Sequence, residues 1–273
     1  MIQSQIFGCV FYMKGSKNTI MGKVIAFANQ KGGVGKTTSA VNIAASLGIL
    51  GKKVALLDLD PQGNATSGVG ISKKNLKHSM HDALSDGVAL EEVLLDTEFE
   101  NLSVFPANIS LAGSEFDLFA GENSEYRLKE LLASVRDHFD YIIIDCPPSL
   151  GMLTVNAMAA ADGVVIPMQC EFYALEGLSQ LMLTVSRIRQ HYNPTLNITG
   201  ILVTMHNPRL LLSVQVLSEL KKYYEDKLFE TTVARNVRLS EAPGFGMPVY
   251  YHDKRSRGAE EYLSIAKELM MRI

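Results

Sequence analysis

The stretch NQKGGVGKTT, residues 29–38, decides how this 273-residue chain is read. It has the outline of a phosphate-binding loop built around Lys36 and Thr37. A second lysine, Lys31, stands before them, although one lysine is enough to hold a triphosphate. The apolar run Val24–Ala28 predicts a strand before the loop, and Thr37–Leu50 predicts a helix after it, ending near Gly51. Strand, loop, helix is the context the motif requires. Gly32, Gly33 and Gly35, with Val34 among them, let backbone N–H groups turn inward around phosphates. The helix start presents its positive dipole end to the same place, with Thr38 beside it. Lys36 is expected to reach the β- and γ-phosphate oxygens, and the Thr37 hydroxyl to ligate Mg²⁺.

The stretch LLDLDPQGNAT (residues 56–66) places Asp58 and Asp60 at the end of a predicted strand, Lys53–Leu59. That is the carboxyl edge at which open α/β sheets bind ligands. Acids two apart on a strand share a face. Asp60 is therefore placed toward the γ-phosphate, to orient or deprotonate the attacking water, its plainer alternative being a cap for the following loop. Asp58 has two open readings, a group facing the Mg²⁺ region and a purely structural carboxylate. YIIIDCPPS (residues 141–149) runs four apolar residues into Asp145, a strand end that suits a Mg²⁺ carboxylate, reaching the ion through water in the second shell of Thr37. Cys146 beside it reads as packing. Pro147-Pro148 make a stiff loop, either a reporter of nucleotide state or a rigid turn.

The rest of the chain alternates in the same way. Strands are expected at Leu102–Pro106, Tyr141–Asp145, Gly163–Met168, Ile198–Thr204 and Leu228–Val233. Helices are expected at His81–Leu95, Tyr126–His138, Glu176–Gln190, Leu211–Tyr224 and Ala259–Met271, and Asp60–Ser67 is expected to be a loop. This alternation predicts an α/β fold, a doubly wound and mostly parallel sheet with helices on both faces, of the P-loop NTPase type. No repeat, low-complexity tract or Pro/Gly linker marks a boundary, so residues 21–273 are expected to be one domain. Residues 1–20 read as an extension or a mis-set start, with Met21 an alternative first residue.

Composition narrows the function. Net charge is −3, so no global field draws the chain to nucleic acid or an anionic membrane, and any such binding needs a local patch. Cys9, Cys146 and Cys170 form no C-x-x-C pair, which points to reduced thiols in a cytoplasmic protein. No 18-residue apolar run is present, so no transmembrane helix is expected. The absence of an N-K-x-D stretch disfavours guanine and favours ATP.

Five ordered stretches, KGGVGKTT, LLDLDPQGNATSGVG, YIIIDCPPSLG, VVIPMQCEFYALEGLSQL and ARNVRLSEAP, make residues 22–271 resemble the ParA/Soj family of deviant-Walker-A ATPases. The resemblance implies a chromosome- or plasmid-partitioning ATPase that forms an ATP-sandwich homodimer. It further implies binding to double-stranded DNA without sequence preference, association with the nucleoid when ATP is bound, and stimulation by a ParB/Spo0J-type partner protein. It gives Lys31 a purpose, to cross the dimer seam to the partner's ATP. A side chain at Gly32 is expected to obstruct the close approach of the two loops. Arg209 and Arg238 match positions of DNA-contacting arginines in Soj-like proteins, and Arg235 lies close enough to contribute. The loop after S-E-A-P carries Met247, where relatives often have a cation. The resemblance places adenine near Thr204, Met205, Asn207 and Pro208, with the loop Arg235–Val237 that includes Asn236, and packing is an equal reading for Met205.

A MinD-like, membrane-associated positioning ATPase would share these phosphate-site residues and add a basic amphipathic C-terminal helix. The last helix here carries Glu260, Glu261 and Glu268 against Lys267 and Arg272, which disfavours that alternative. The nitrogenase iron protein, another relative, would need cluster-binding cysteines at the seam, and Cys146 and Cys170 do not form such a set.

Overall fold

The computed structural model describes residues 21–273, and the expected extension at residues 1–20 lies outside them. Seven strands are formed: β1 (Lys23–Phe27), β2 (Val54–Asp58), β3 (Leu95–Asp96), β4 (Leu102–Phe105), β5 (Tyr141–Asp145), β6 (Gly163–Gln169) and β7 (Asn197–Thr204). They make one sheet in the order β3-β4-β2-β5-β1-β6-β7. Every pairing is parallel except that of β3 with β4. All five residues of both β2 and β5 are buried, as strands covered on two faces must be.

Register then decides where the chemistry lies. Asp145 of β5 stands between Phe27 of β1 and Asp58 of β2, so the carboxyl ends of three central strands finish side by side. The phosphate loop leaves β1 at this point, and the helix Lys36–Ile49 carries the chain back over one face. That helix packs on the last one, Arg257–Arg272, through a layer that buries Ile43, Leu47, Tyr262, Ile265 and Leu269. The Tyr262 hydroxyl keeps a partner there, sharing a 3.1 Å hydrogen bond with Ser39 Oγ. Helices including Met152–Ala160 and Ala174–His191 cover the opposite face with Leu153, Ala157, Leu178 and Leu181.

Four expectations are corrected. The segment Asp60–Ser67 is not all loop, because Asn64–Gly68 is a short helix that Gly63 opens from a left-handed φ of 62°. The helix expected over His81–Leu95 is two short ones, Met80–Ser85 and Leu90–Val93, parted at Gly87 with φ 74°. The stretch Tyr126–His138 is α-helical only over Arg127–Leu132, with 3₁₀ turns at Ser124–Tyr126 and Arg136–His138. Finally, Leu228–Val233 forms no strand beside β7. Leu228 and Ala234 make isolated bridges, while the Glu230 N–H turns away to the Glu268 carboxylate at 3.0 Å. Met152–Ala160 was not anticipated: seven of its nine residues are buried, Thr154 and Asn156 among them, so it carries no periodic apolar stripe.

Candidate active site

The phosphate loop owes its shape to two glycines. Gly33 and Gly35 adopt φ of 74° and 81°, left-handed values that cost a residue with a Cβ. A chain alternating in this way turns its N–H groups toward one concavity and its carbonyls away from it. The outward carbonyls are capped: Gln169 Nε2 donates to Gly33 O at 2.7 Å, and Thr204 Oγ1 donates to Val34 O at 2.7 Å. Asn29 ties the loop entrance to β6, donating to Pro167 O at 2.8 Å and accepting from Lys31 N at 3.0 Å. Gln169 escaped the sequence reading, and Thr204 was expected only beside adenine, not as a cap on the phosphate loop.

The two loop lysines occupy different surroundings. Lys36 is buried, 6% exposed, and its Nζ donates to Lys31 O at 3.1 Å. Burial lowers its pKa, against the pull of the Asp145 and Asp60 charges. The Lys31 ammonium is half exposed and pairs with Glu171, which is equally open to solvent. Gly32 is exposed as well, and a Cβ there would meet only the Pro148 side chain, at 3.9 Å. Within its own chain the position has room.

Three carboxylates converge on the loop, each in a different state. Asp58 is fully buried and accepts from Thr66 N at 2.7 Å, Thr66 Oγ1 at 2.7 Å and Asp60 N at 3.2 Å. Burial raises its pKa in spite of those bonds. Its oxygens are committed to anchoring the short helix Asn64–Gly68, and Thr66 passes the link on by accepting from Ala107 N at 2.9 Å. This gives substance to the structural alternative that the sequence left open for Asp58. Asp60, 8% exposed, accepts from Gln62 N at 2.9 Å through Oδ1.

Asp145 is the exception. It is fully buried, and neither carboxylate oxygen has a hydrogen-bond partner among the described residues. Desolvation, then the Asp58 charge, drives its pKa well above the ordinary range, while the nearby Thr37 hydroxyl and Lys36 work in the other direction. A buried carboxylate without donors is costly, and a cation at its oxygens removes that cost. The donor set Thr37 and Asp145, both oxygen ligands, fits a hard divalent ion. The Cys146 thiol beside it is fully buried and its pKa is pushed up, which makes it inert.

On the other side of the loop a cavity of about 290 Å³ is lined by Gly35, Thr38, Met205, Arg235 and Asn236. Asn207 and Pro208 line a neighbouring cavity of about 590 Å³, together with Arg209. Met205 and Arg235 belong to both, so the residues expected around adenine divide between two adjoining hollows. Met205 has φ of 50°, uncommon for a residue with a side chain. Of the arginines, Arg238 is paired with Glu241 at 2.8 Å and Asp253 at 3.4 Å. Arg209 is exposed and forms no ion pair among the described residues. Arg235 is exposed beside the Met205 sulfur at 3.8 Å.

A glycine-shaped phosphate loop at the carboxyl edge of a parallel sheet, faced by buried acids, defines a P-loop nucleotide-binding protein. The profile of a family described as an AAA domain matches residues 22–198. Sporulation initiation inhibitor protein Soj of Bacillus subtilis (strain 168) is 55% identical over 249 residues, 91% of this chain and 98% of that protein. Chromosome partitioning protein ParA of Myxococcus xanthus is 48% identical, covering 97% of this chain and 94% of that protein. The crystal structure of cobyrinic acid a,c-diamide synthase from Mycobacterium smegmatis, with bound ATP analog and magnesium, superposes with a TM-score of 0.80 at 38% identity, covering 91% of this chain and 94% of that one. The chain belongs to the ParA/Soj family of chromosome-partitioning ATPases.

Proposed function

We propose that this chain hydrolyses Mg²⁺·ATP to ADP and phosphate as a homodimer, and that the ATP-bound dimer binds double-stranded DNA without sequence preference. The observation that carries the reading is the division of labour between its two loop lysines. Lys36 is buried among the acids of its own site, whereas Lys31 stands half exposed beside an exposed glycine. Two triphosphates brought face to face repel strongly in a desolvated seam unless cations enter from both sides. An exposed loop lysine on each protomer supplies that charge in trans.

In this reading Gly32, Gly33, Val34, Gly35, Lys36, Thr37 and Thr38 cradle the phosphates. Thr37 and Asp145 hold Mg²⁺, which when bound neutralises phosphate-oxygen charge, and Asp58 fixes the turn beside them. Asp60 orients the attacking water and accepts its proton. Met205, Arg235 and Asn236 frame the base, and Asn207 and Pro208 border it. Residues 21–273 act as one domain. Arg209, Arg235 and Arg238 face DNA phosphates, a few per protomer, so pairing doubles the count and makes DNA binding depend on ATP.

A ParB/Spo0J-type protein is the stimulating partner, as the family's partitioning role implies, and the ATP-bound form resides on the nucleoid. The last helix commits Tyr262, Ile265 and Leu269 to the core, which leaves it without a free apolar face for a bilayer. Among the described residues no helix is long and apolar enough to cross a membrane.

The test is DNA binding measured with ATP, with ADP and without nucleotide, for the wild type, Arg209→Ala/Arg238→Ala and Asp60→Ala. Binding is expected with ATP alone, lost in the double arginine variant and retained in Asp60→Ala. Equal binding in all three nucleotide conditions would remove the proposed switch.

A further inference from the structure

A loop that aims its N–H groups at phosphates must send its carbonyls outward, and one that is buried there, as that of Val34 is, needs a donor of its own. Helix Lys36–Ile49 supplies none for Gly33 or Val34, which precede it. The donors come from the far side of the sheet in sequence but its near edge in space: Gln169 closes β6 and Thr204 closes β7. Thr204 is 2% exposed, and its hydroxyl lies 2.7 Å from Val34 O and 3.1 Å from Met168 O. The Gln169 amide reaches Gly33 O at 2.7 Å and the Met205 sulfur at 3.0 Å. Gly35 is pressed to the same wall, since a Cβ there would lie 3.6 Å from Thr204.

We propose that Thr204 and Gln169 are positioning residues of this ATPase, pinning the carbonyls of Val34 and Gly33 so that the loop is held ready for phosphate before nucleotide arrives. The inference rests on the ATP-binding reading above and adds two residues to it. Neither side chain touches the phosphates. Both act through the loop backbone, by preventing the Gly33–Val34 and Val34–Gly35 peptide units from flipping their N–H groups away. The left-handed Met205 belongs to the same device. It follows Thr204 directly, and its sulfur accepts from Gln169, so the turn after β7 is fastened to the end of β6. Strained backbone of this kind persists only where surrounding contacts over-determine it.

Pinning that exists before ATP binds helps substrate and transition state alike, so its loss should appear in affinity more than in turnover. Three variants separate this from simple packing. Thr204→Val keeps the shape and loses the donor, Thr204→Ser keeps the donor and loses a methyl group, and Gln169→Leu loses the second donor at a half-buried position. The measurements are Mg²⁺·ATP affinity and steady-state KM and kcat on the full chain, with the melting temperature of the nucleotide-free protein as a control for folding. Thr204→Val is expected to weaken ATP binding and raise KM about tenfold, the scale of one buried acceptor left unpaired, and Gln169→Leu about threefold, because the exposed Gly33 carbonyl can turn to water. In both, kcat should stay within about twofold, and Thr204→Ser should bind like the wild type. ATP binding by Thr204→Val at wild-type strength overturns the proposal, as does a Thr204→Ser defect equal to that of valine. If Thr204→Val does not fold, Gln169→Leu decides alone, and wild-type affinity there overturns it. Failure of the wild type itself to bind Mg²⁺·ATP would instead strike the underlying reading.

Discussion

The acid pocket and the cationic rim of this molecule are built on opposite principles. Asp58, Asp60, Asp145 and Lys36 are all less than a tenth exposed, and short hydrogen bonds from Thr66 fix Asp58 as well. Lys31, Arg209, Arg235 and Arg238 lie on the surface, and two of the four hold acids of their own chain. Buried charge is expensive and is therefore fixed in place, while exposed pairs are worth about 1 kcal/mol or less and exchange readily. In the proposed reading a single chain thus prepares the chemistry and leaves its assembly contacts free to change partners.

The contrast breaks first at residue 31. If Lys31 acts across the seam, Lys31→Ala should cut turnover by about 10³-fold or more, the scale of a cation supplied in trans. Its ATP affinity at dilutions that keep the protein monomeric should be near that of the wild type. Steady-state phosphate release and ATP titration at low protein concentration read these two quantities. Turnover that survives the substitution would place Lys31 with the ordinary surface lysines.

Asp60 comes next, on the buried side. Asp60→Ala should lower turnover by about 10²–10⁴-fold, the usual worth of a general base, while ATP-dependent pairing persists. Single-turnover hydrolysis beside light scattering separates the two. Pairing lost together with hydrolysis would mean that the acid pocket also builds the seam.

A smaller effect with the opposite sign is expected at Asp145. Among the described residues its oxygens have no hydrogen-bond partner and only the Thr37 hydroxyl close by, so burying its charge is costly, and the proposed Mg²⁺ site would relieve that cost. Asp145→Asn should stabilise the nucleotide-free protein by about 1–3 kcal/mol in urea unfolding and abolish the additional stabilisation by Mg²⁺·ATP. The pH dependence follows from the direction of the shift. A carboxyl whose pKa is raised by folding binds its proton more tightly in the native state. Its contribution to stability is therefore fully present below the unfolded value of about 4, and it is lost as pH rises through the raised native value. Wild type minus Asp145→Asn stability should fall over that window, and a flat difference would show that the carboxylate is satisfied.

What the sequence made legible follows the same division. Loop, strand ends and acids were readable because each depends on local chemistry: glycine for left-handed φ, apolar runs for buried parallel strands, and acids where those runs stop. Asp58 could not be settled, because its role rests on Thr66, a residue in a stretch expected to be loop. The capping contacts of Gln169 and Thr204 were invisible for a related reason: each meets its carbonyl across more than a hundred residues of chain, and nothing in their neighbours signals it. The segment Leu228–Val233 read as a strand from its composition, and only the pull of Glu268 on the Glu230 N–H shows why pairing lapses.

The smallest effect concerns Glu171. It neutralises Lys31 within the chain, yet both groups are about half exposed, so solvent and salt screen the pair. For Lys31 to reach a second subunit this contact must open, and each protomer bears that cost on pairing. Glu171→Gln removes the attraction and keeps the shape, so ATP-dependent dimers should form at lower protein concentration, with a gain of about fivefold, from two exposed pairs worth about 0.5 kcal/mol each. Two pairs open per dimer, and the gain should shrink as salt is added. Sedimentation at two ionic strengths reads both features. A variant that dimerises less well would reverse the account, since Glu171 would then be holding Lys31 in the direction the seam requires, and the exposed rim would be as preorganised as the buried pocket.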